Sequence, residues 1–498
     1  MLAELFTSLF EVLSLNTLGF VALGSLIGLV VGALPGLGGV IGMSLLLPLT
    51  YALEPVNAMF LYAGVMGGTP LGGSISAILI NTPGTSVNAA TCFDGYPMTQ
   101  RGEAGRALGI ASAASGLGAL FGVIVLILLL PIVRMAILAF GPPEFFMFIL
   151  FGLGTIVIAS QRNMIKGVFA GGLGILFSFF GQSVVTGDIR YNLGTMYLWD
   201  GIQLIPFVIG VFALAEMIRL TVERKSTIVA SKVSANIAKG TWEGVKDIFR
   251  HRTCFFRSST IGTIIGIIPG VGGTAANFIS YTIAMQSSKH PEAFGTGNPE
   301  GVIASESANN SKDGGALLPT LGFGIPGSAE TAVLLGAFIL FGISPGPLLF
   351  KDHPEIIWAL VWGLVVSNVL ASTFGLLAAN ILLKLSFVNL SIIIPVVTTL
   401  SLVGAFAIRG NIYDVFVAVI FGFLAYFLTR NGFPIVTMAI GYILGRLAEK
   451  SFLQSIMISK GNYLIFFTRP VSLAIFILLI LVFLIPFLRR NKSTGDKT

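Results

Sequence analysis

A twelve-residue phrase occurs twice, 234 positions apart: GLVVGALPGLGG from Gly28 to Gly39 and GTIIGIIPGVGG from Gly262 to Gly273. Six positions are identical, five glycines and one proline, and most of the others exchange Val, Ile and Leu. Proline inside a helix removes a hydrogen bond and clashes with the preceding turn. Each phrase therefore reads as a break in an apolar helical segment. Breaks at corresponding places of two halves are the pattern of a transporter built from repeats, where the interruption exposes backbone groups to a solute.

The solvent around those breaks follows from composition. Charged residues make up 10% of 498, apolar residues 55%, and the mean hydropathy is +0.92, a balance that no soluble domain of this size requires. The apolar runs are long and do not alternate every second residue, which argues against a β-barrel. The fold expected is an all-α polytopic membrane protein with about 12 to 15 membrane segments. Its 61 glycines suit close helix packing in lipid. Cys92 and Cys254 sit on segments of different character, so neither a structural disulfide nor a metal site is expected. Met1 to Leu15 contains Glu4 and Glu11 but no Lys or Arg, unlike the basic start of a cleavable signal.

Between Glu11 and Glu54 lie 42 residues without charge, about twice the roughly 20 needed for one span, with Pro35-Gly36 near the middle. Two helical segments joined by a break fit this length. Ser258 to Ser288 has 31 uncharged residues, short for two full spans, so a re-entrant hairpin is expected there. A second Pro-Gly break follows each phrase, Asn81 to Ser86 in the first half and Gly324 to Ser328 in the second. Further spans are expected at about 107–133, 143–160, 167–180, 201–220, 355–383, 387–408, 411–429, 433–447 and 471–488.

The chain divides into a first transmembrane repeat (1–221), a basic linker (222–257), a second repeat (258–447) and a C-terminal helix with a basic tail (448–498). The linker has eight Lys or Arg against Glu223, Glu243 and Asp247, which places it in the cytoplasm. Membrane orientation also explains the net charge of +7 without a nucleic acid or other anionic partner. Counting back from the linker puts Arg101, Arg106, Arg162 and Lys166 on the same side, with Asp188 and Asp200 opposite. Counting forward puts Lys384 and the Arg489 to Lys492 tail inside, so the halves are expected to be inverted-topology repeats. Arg446, Lys450, Lys460 and Arg469 then fall outside, against the positive-inside rule.

A glycine-rich turn entering a helix presents unpaired N–H groups and the positive end of the helix dipole, which suit carboxylate or phosphate. Gly36, Gly38 and Gly39, with Gly270, Gly272 and Gly273, can act so from two sides; the competing account is that they only permit close helix crossing. Asn81, Thr82, Pro83, Gly84, Thr85 and Ser86 line the second break of the first half, and Pro326, Gly327 and Ser328 that of the second. The hydroxyls and amides there, with Thr274 and Asn277, suit carboxylate oxygens and desolvated sodium alike, or else satisfy carbonyls freed by the break. Sodium is expected near Asn81, Thr82, Thr274 and Ser328. Glu330, in apolar surroundings, is a functional candidate or a shallow, solvated residue. The stretch Ser305 to Asn310, with Asn309 and Asn310, is expected to be a solvated connection unless it folds inward.

An enzyme is not expected. All three histidines, His251, His290 and His353, fall in polar loops, which leaves no base at membrane depth for a nucleophile. No G-x-x-x-x-G-K-[ST] phosphate loop is present, so a gradient supplies the energy and no cofactor is required.

These residues resemble the large membrane subunit of the tripartite tricarboxylate transporters, the TctA family, over nearly the whole chain. The resemblance rests on the paired PGLGG and PGVGG phrases, GGSISAILINTPG from Gly72 to Gly84, and ESANN from Glu306 followed by GIPGS from Gly324. It implies a bacterial inner-membrane secondary transporter that takes up carboxylates such as citrate on a cation gradient, commonly sodium. It also implies two partners, a small membrane subunit and a periplasmic solute-binding protein. A partner-independent facilitator and a non-transporting scaffold subunit are the rival readings.

Overall fold

The residues preceding Pro35 and Pro269 adopt nearly the same extended backbone, Leu34 at φ −82, ψ 114 and Ile268 at φ −81, ψ 112. Steric conflict with the proline ring pushes the preceding residue out of the helical region. The computed structural model describes residues 8–10, 12–138, 140–159, 164–183, 185–223 and 240–493. Helix α1 (Leu15–Ala33) stops at the first break and α2 (Gly38–Thr50) continues beyond it. In the second half α10 (Arg252–Ile267) and α11 (Gly272–Ser287) repeat the arrangement. Each of the latter has 16 residues, about 24 Å at 1.5 Å per residue. That is short of the roughly 30 Å of hydrocarbon.

Long helices follow both hairpins. In the first half α3 (Pro55–Ile80), α4 (Thr91–Gln100), α5 (Ala104–Leu138), α6 (Pro142–Ala159) and α7 (Met164–Ser178) lead to a small antiparallel hairpin, Gly181–Gln182 with Ile189–Arg190. Helix α8 (Leu204–Glu223) contains a π-helical turn at Ile209–Leu214, and α9 (Thr241–Arg250) lies in the linker region. The second half contains α12 (Pro299–Phe323), α13 (Ala329–Leu340), α14 (Pro347–Asp352), α15 (Pro354–Leu377) and α16 (Ala379–Leu385). It closes with α17 (Leu390–Ala407), α18 (Ile412–Arg430), α19 (Ile435–Ile458), α20 (Ile465–Thr468) and α21 (Pro470–Ser493). Seven helices are long and apolar enough to cross a membrane, and five shorter apolar helices accompany them, α2, α7, α13 and the apolar parts of α6 and α21.

Two corrections concern the second half. The polar stretch Ser305 to Asn310 is not a solvated connection: it lies inside α12, whose residues from Gly301 to Gly322 are all buried. It escapes the hydropathy pattern of a span because its neighbours, not lipid, surround it. Helix α19 extends well past 447, so Arg446 and Lys450 stand on a helix and not in a loop. Beside them Glu449 pairs with Arg190 at 2.8 Å, and Arg446 donates to the Asp200 carbonyl at 3.3 Å. Arg469 pairs with buried Glu144 at 2.6 Å. Arg162, residues 224–239 and the side chains of the Arg489 to Lys492 tail lie outside the described residues, so the orientation argument resting on them stays an expectation.

Glycine sets the distances between the central helices. A Cβ on Gly64 would lie 2.7 Å from Gly24 Cα, and one on Gly28 would lie 2.6 Å from Val65 O, so α1 and α3 touch backbone to backbone. Helices α10 and α12 do the same where Gly262 meets Ala308, and α5 meets α12 where Gly118 meets Ser307. Around this group pack α9, α11, α15 and α16, while α6 to α8 gather with α17, α18, α19 and α21.

Candidate functional site

The two halves hold their breaks by matching hydrogen bonds. Gly36 N–H donates to Gly84 O at 3.4 Å, and Gly270 N–H donates to Gly327 O at 3.3 Å. Thr82 N–H reaches back to Ser76 O at 3.4 Å, and Ile325 N–H to Pro319 O at 3.2 Å. Gly36, Gly38, Gly270 and Gly272 all have positive φ, between +65 and +88, the region where only glycine is free of a Cβ penalty. Asn81 ends α3 in the left-handed region at φ 53, as Gly324 ends α12 at φ 68. Within each half, first and second breaks are thus joined into one unit.

The units then meet across the halves. Thr274 donates to Ser86 Oγ at 3.1 Å, and the Asn277 amide donates to Val87 O. A Cβ on Gly273 would lie 2.8 Å from Val87 Cγ1. The structure therefore brings together Gly36, Gly38, Gly84, Thr85 and Ser86 on one side with Gly270, Gly272, Gly273, Thr274 and Asn277 on the other. Gly39 sits behind, against Thr69 Oγ1 at 3.1 Å from its Cβ position.

Several candidates are occupied elsewhere. Ser328 forms a capping box with Thr331, whose N–H it accepts at 3.3 Å while its own N–H donates to Thr331 Oγ1 at 2.9 Å. Its hydroxyl thus serves α13. Pro326 and Gly327 are buried, and a Cβ on Gly327 would lie 2.6 Å from Ala316 Cα. Asn81 is exposed, and Thr82 donates to Ile80 O at 3.3 Å; Pro83 is half-buried. Glu330 is half-buried in the first turn of α13, where the helix dipole favours its charge.

The inner face of α12 carries polar groups that the sequence did not lead us to place in the core. Glu306 is fully buried and accepts hydroxyl hydrogens from Ser74 at 2.7 Å, Thr91 at 2.5 Å and Ser115 at 3.1 Å. Ser74 in turn accepts from the Asn88 amide at 2.8 Å, and Asn88 Oδ1 accepts from Thr85 at 2.6 Å. A hydrogen-bonded chain thus runs from the break at Thr85 to a carboxylate of the other half. Lys312 and Asp313 form a buried ion pair at 2.5 Å. Asn309, both of whose amide atoms lack a partner, lies on the same face as Asp313. Asn310 donates to Asn368 Oδ1 at 2.7 Å.

One anchor fixes this helix against the first half. Asp94 Oδ1 accepts three backbone N–H bonds, from Gly295 at 2.9 Å, Gly297 at 2.8 Å and Asn298 at 2.7 Å, while Oδ2 accepts from Tyr281 at 2.7 Å. A signal for α12 does exist in the sequence. In the first half a 26-residue helix separates the two breaks, so the repeated order of breaks demands a helix of similar length ending at Phe323. Small residues at Gly301, Ser305, Ala308, Ser311 and Gly315 mark its packing face.

Residues 18–440 match the model of the tripartite tricarboxylate transporter TctA family. The chain is 32% identical over 473 residues, 94% of this chain and 93% of the relative, to an "Uncharacterized 52.8 kDa protein in TAR-I ttuC' 3'region" of Agrobacterium vitis. An "Uncharacterized protein in TAR-II ttuC' 3'region" of the same organism is 31% identical over 235 residues, covering 47% of this chain and 97% of that relative. No solved structure matches.

Proposed function

Since the chain belongs to the tripartite tricarboxylate transporter TctA family, we propose that it is the large permease subunit that takes up di- or tricarboxylates such as citrate across the bacterial inner membrane. The observation carrying this reading is the pair of matching bonds, Gly36 N–H to Gly84 O and Gly270 N–H to Gly327 O, which join four breaks into two facing units. Irregular backbone at membrane depth is tolerated where protein covers it or where it lines a water-filled cavity. Here hydroxyl, amide and backbone groups of the two units converge, Thr274 with Ser86 and Asn277 with Val87.

The halves are read as inverted repeats. Helix α5 runs parallel to α12, since Gly118 and Gly122 meet Ser307 and Ser311 in order, and α15 runs parallel to α3, since Gly363 and Gly375 meet Ala63 and Leu71. Exchanging halves maps one pair onto the other. Ser112 and Ser372 donate to each other's carbonyls, at 2.8 and 3.0 Å, as residues beside a two-fold axis do. Bonds from Thr91 to Ser305 and from Arg101 to Gly297 O order α4 and α12 in opposite senses.

In this reading sodium is the coupling ion, held by neutral oxygens beside the breaks, at Thr82 or between Thr274 and Ser86. A small membrane subunit and a periplasmic solute-binding protein complete the transporter, with the basic linker on the cytoplasmic side. The test is uptake of labelled citrate and other carboxylates into proteoliposomes holding this chain and its small subunit, with and without binding protein and an inward sodium gradient. Uptake that requires both is the expected result. Uptake indifferent to both would make the chain a facilitator, and no flux from a complete complex would make it a scaffold.

A further inference from the structure

Contacts with the first hairpin of each half place Thr69 and Lys312 at the same position. A Cβ on Gly32 would overlap Thr69 O, and one on Gly266 would overlap Lys312 O. A Cβ on Gly39 would press on the Thr69 side chain, and one on Gly273 would overlap Lys312 Cε. The repeat therefore differs chemically at this position, with a neutral hydroxyl in the first half and an ammonium in the second. Lys312 is 4% exposed and is the one buried lysine or arginine among the described residues.

The ion pair it forms is incomplete. An ammonium has three donors, yet among the described residues Lys312 donates only to Asp313 Oδ1. Asp313 Oδ2 is buried without a partner, as are Asn309 Oδ1 and Nδ2 one turn earlier. Asn310 Oδ1 is also unpartnered, and its identity is fixed: Asn368 gives its Nδ2 to Leu364 O at 2.8 Å, so its Oδ1 must accept from Asn310 Nδ2. Buried polar groups left unpaired cost free energy, and a buried ion pair is poor evidence of a stabilising role. A cluster of this kind, at the wall where the two halves meet, serves a ligand better than it serves the fold.

We propose that Lys312 receives one carboxylate of the transported anion, with Asp313 holding the ammonium in place and the Asn309 amide donating to the same ligand. The first half, with Thr69 at the equivalent position, takes the remainder of the molecule through neutral groups. This assignment rests on the uptake reading above and names the residue that selects for charge.

The test uses the complete transporter in proteoliposomes with labelled citrate, succinate and butyrate, comparing wild type with Lys312→Thr, which copies the first half, and with Lys312→Met/Asp313→Leu, which removes the whole pair. Replacing a whole buried pair by apolar residues of similar volume is often neutral or stabilising, whereas removing one partner destabilises. The half-saturating concentration of the di- and tricarboxylate should rise about 30-fold or more in both variants, as loss of a buried charge contact does. Wild-type half-saturation in the double variant would show that the pair does not touch the anion, and loss of the folded form in both variants would make the pair structural; either result overturns the assignment. If the wild-type complex moves none of the three anions, the uptake reading falls and this inference with it.

Discussion

Gly84 and Gly272 show two separate demands that a broken helix makes on single residues. At Gly84 the demand is space: an added Cβ would overlap Gly32 O and lie 2.7 Å from Gly73 Cα. At Gly272 it is conformation: φ is +75, but nothing stands within 4 Å of a Cβ. Gly84→Ala must push apart backbone segments, at a cost of about 1–3 kcal/mol or more for overpacking. Gly272→Ala bears only the left-handed penalty of about 1–2 kcal/mol. Thermal unfolding of the purified variants should therefore show the larger loss for Gly84→Ala, and its uptake should be abolished while Gly272→Ala keeps part of its own. Equal losses would mean that the Gly84 approach to Gly32 is not a fixed feature of the fold.

Helices α1 and α3 are held together by a run of glycine contacts with no charged partner between them. Ser25, Gly28 and Leu29 meet Gly68, Val65 and Gly72 along the same seam that joins Gly24 to Gly64. In lipid such contact supplies the packing that the hydrophobic effect supplies in water. Gly64→Leu should therefore shift the chain from a single eluted species to aggregate in detergent chromatography, whereas Gly19→Leu, whose Cβ position meets nothing within 4 Å, should elute as wild type. Normal elution of Gly64→Leu would contradict the close seam.

Much at this scale was legible in advance, for physical reasons. Pro35, Pro83, Pro269 and Pro326 are each followed by glycine, and that pair ends a helix where a lone proline, such as Pro70 in α3 or Pro319 in α12, does not, so the order of breaks can be read from the Pro-Gly pairs. Helix α12 was less legible, because Glu306, Asn309, Lys312 and Asp313 look like solvent-facing residues, while Ser74, Thr91 and Ser115, which bond Glu306, and Asp94, which anchors the turn before the helix, come from positions about 200 residues away in the chain. The capping role of Ser328 is equally a matter of local geometry that a hydroxyl beside Pro-Gly does not disclose. Asn277 and Thr274 were recognisable as candidates, but their partners Val87 and Ser86 belong to the other half.

At the scale of the molecule, the proposed carboxylate site lies where the two broken-helix units meet. Ser86 is exposed and Thr274 half-buried at that meeting point, 3.1 Å apart through their hydroxyls. The most direct test places a cysteine at either position in a chain carrying Cys92→Ser and Cys254→Ser, and follows its reaction with a maleimide in proteoliposomes as unlabelled citrate or succinate is added. The account predicts that the transported anion slows labelling of Ser86→Cys and Thr274→Cys in parallel, with half-protection at the concentration that half-saturates uptake. Labelling that is unchanged at both positions while uptake is saturated would contradict it.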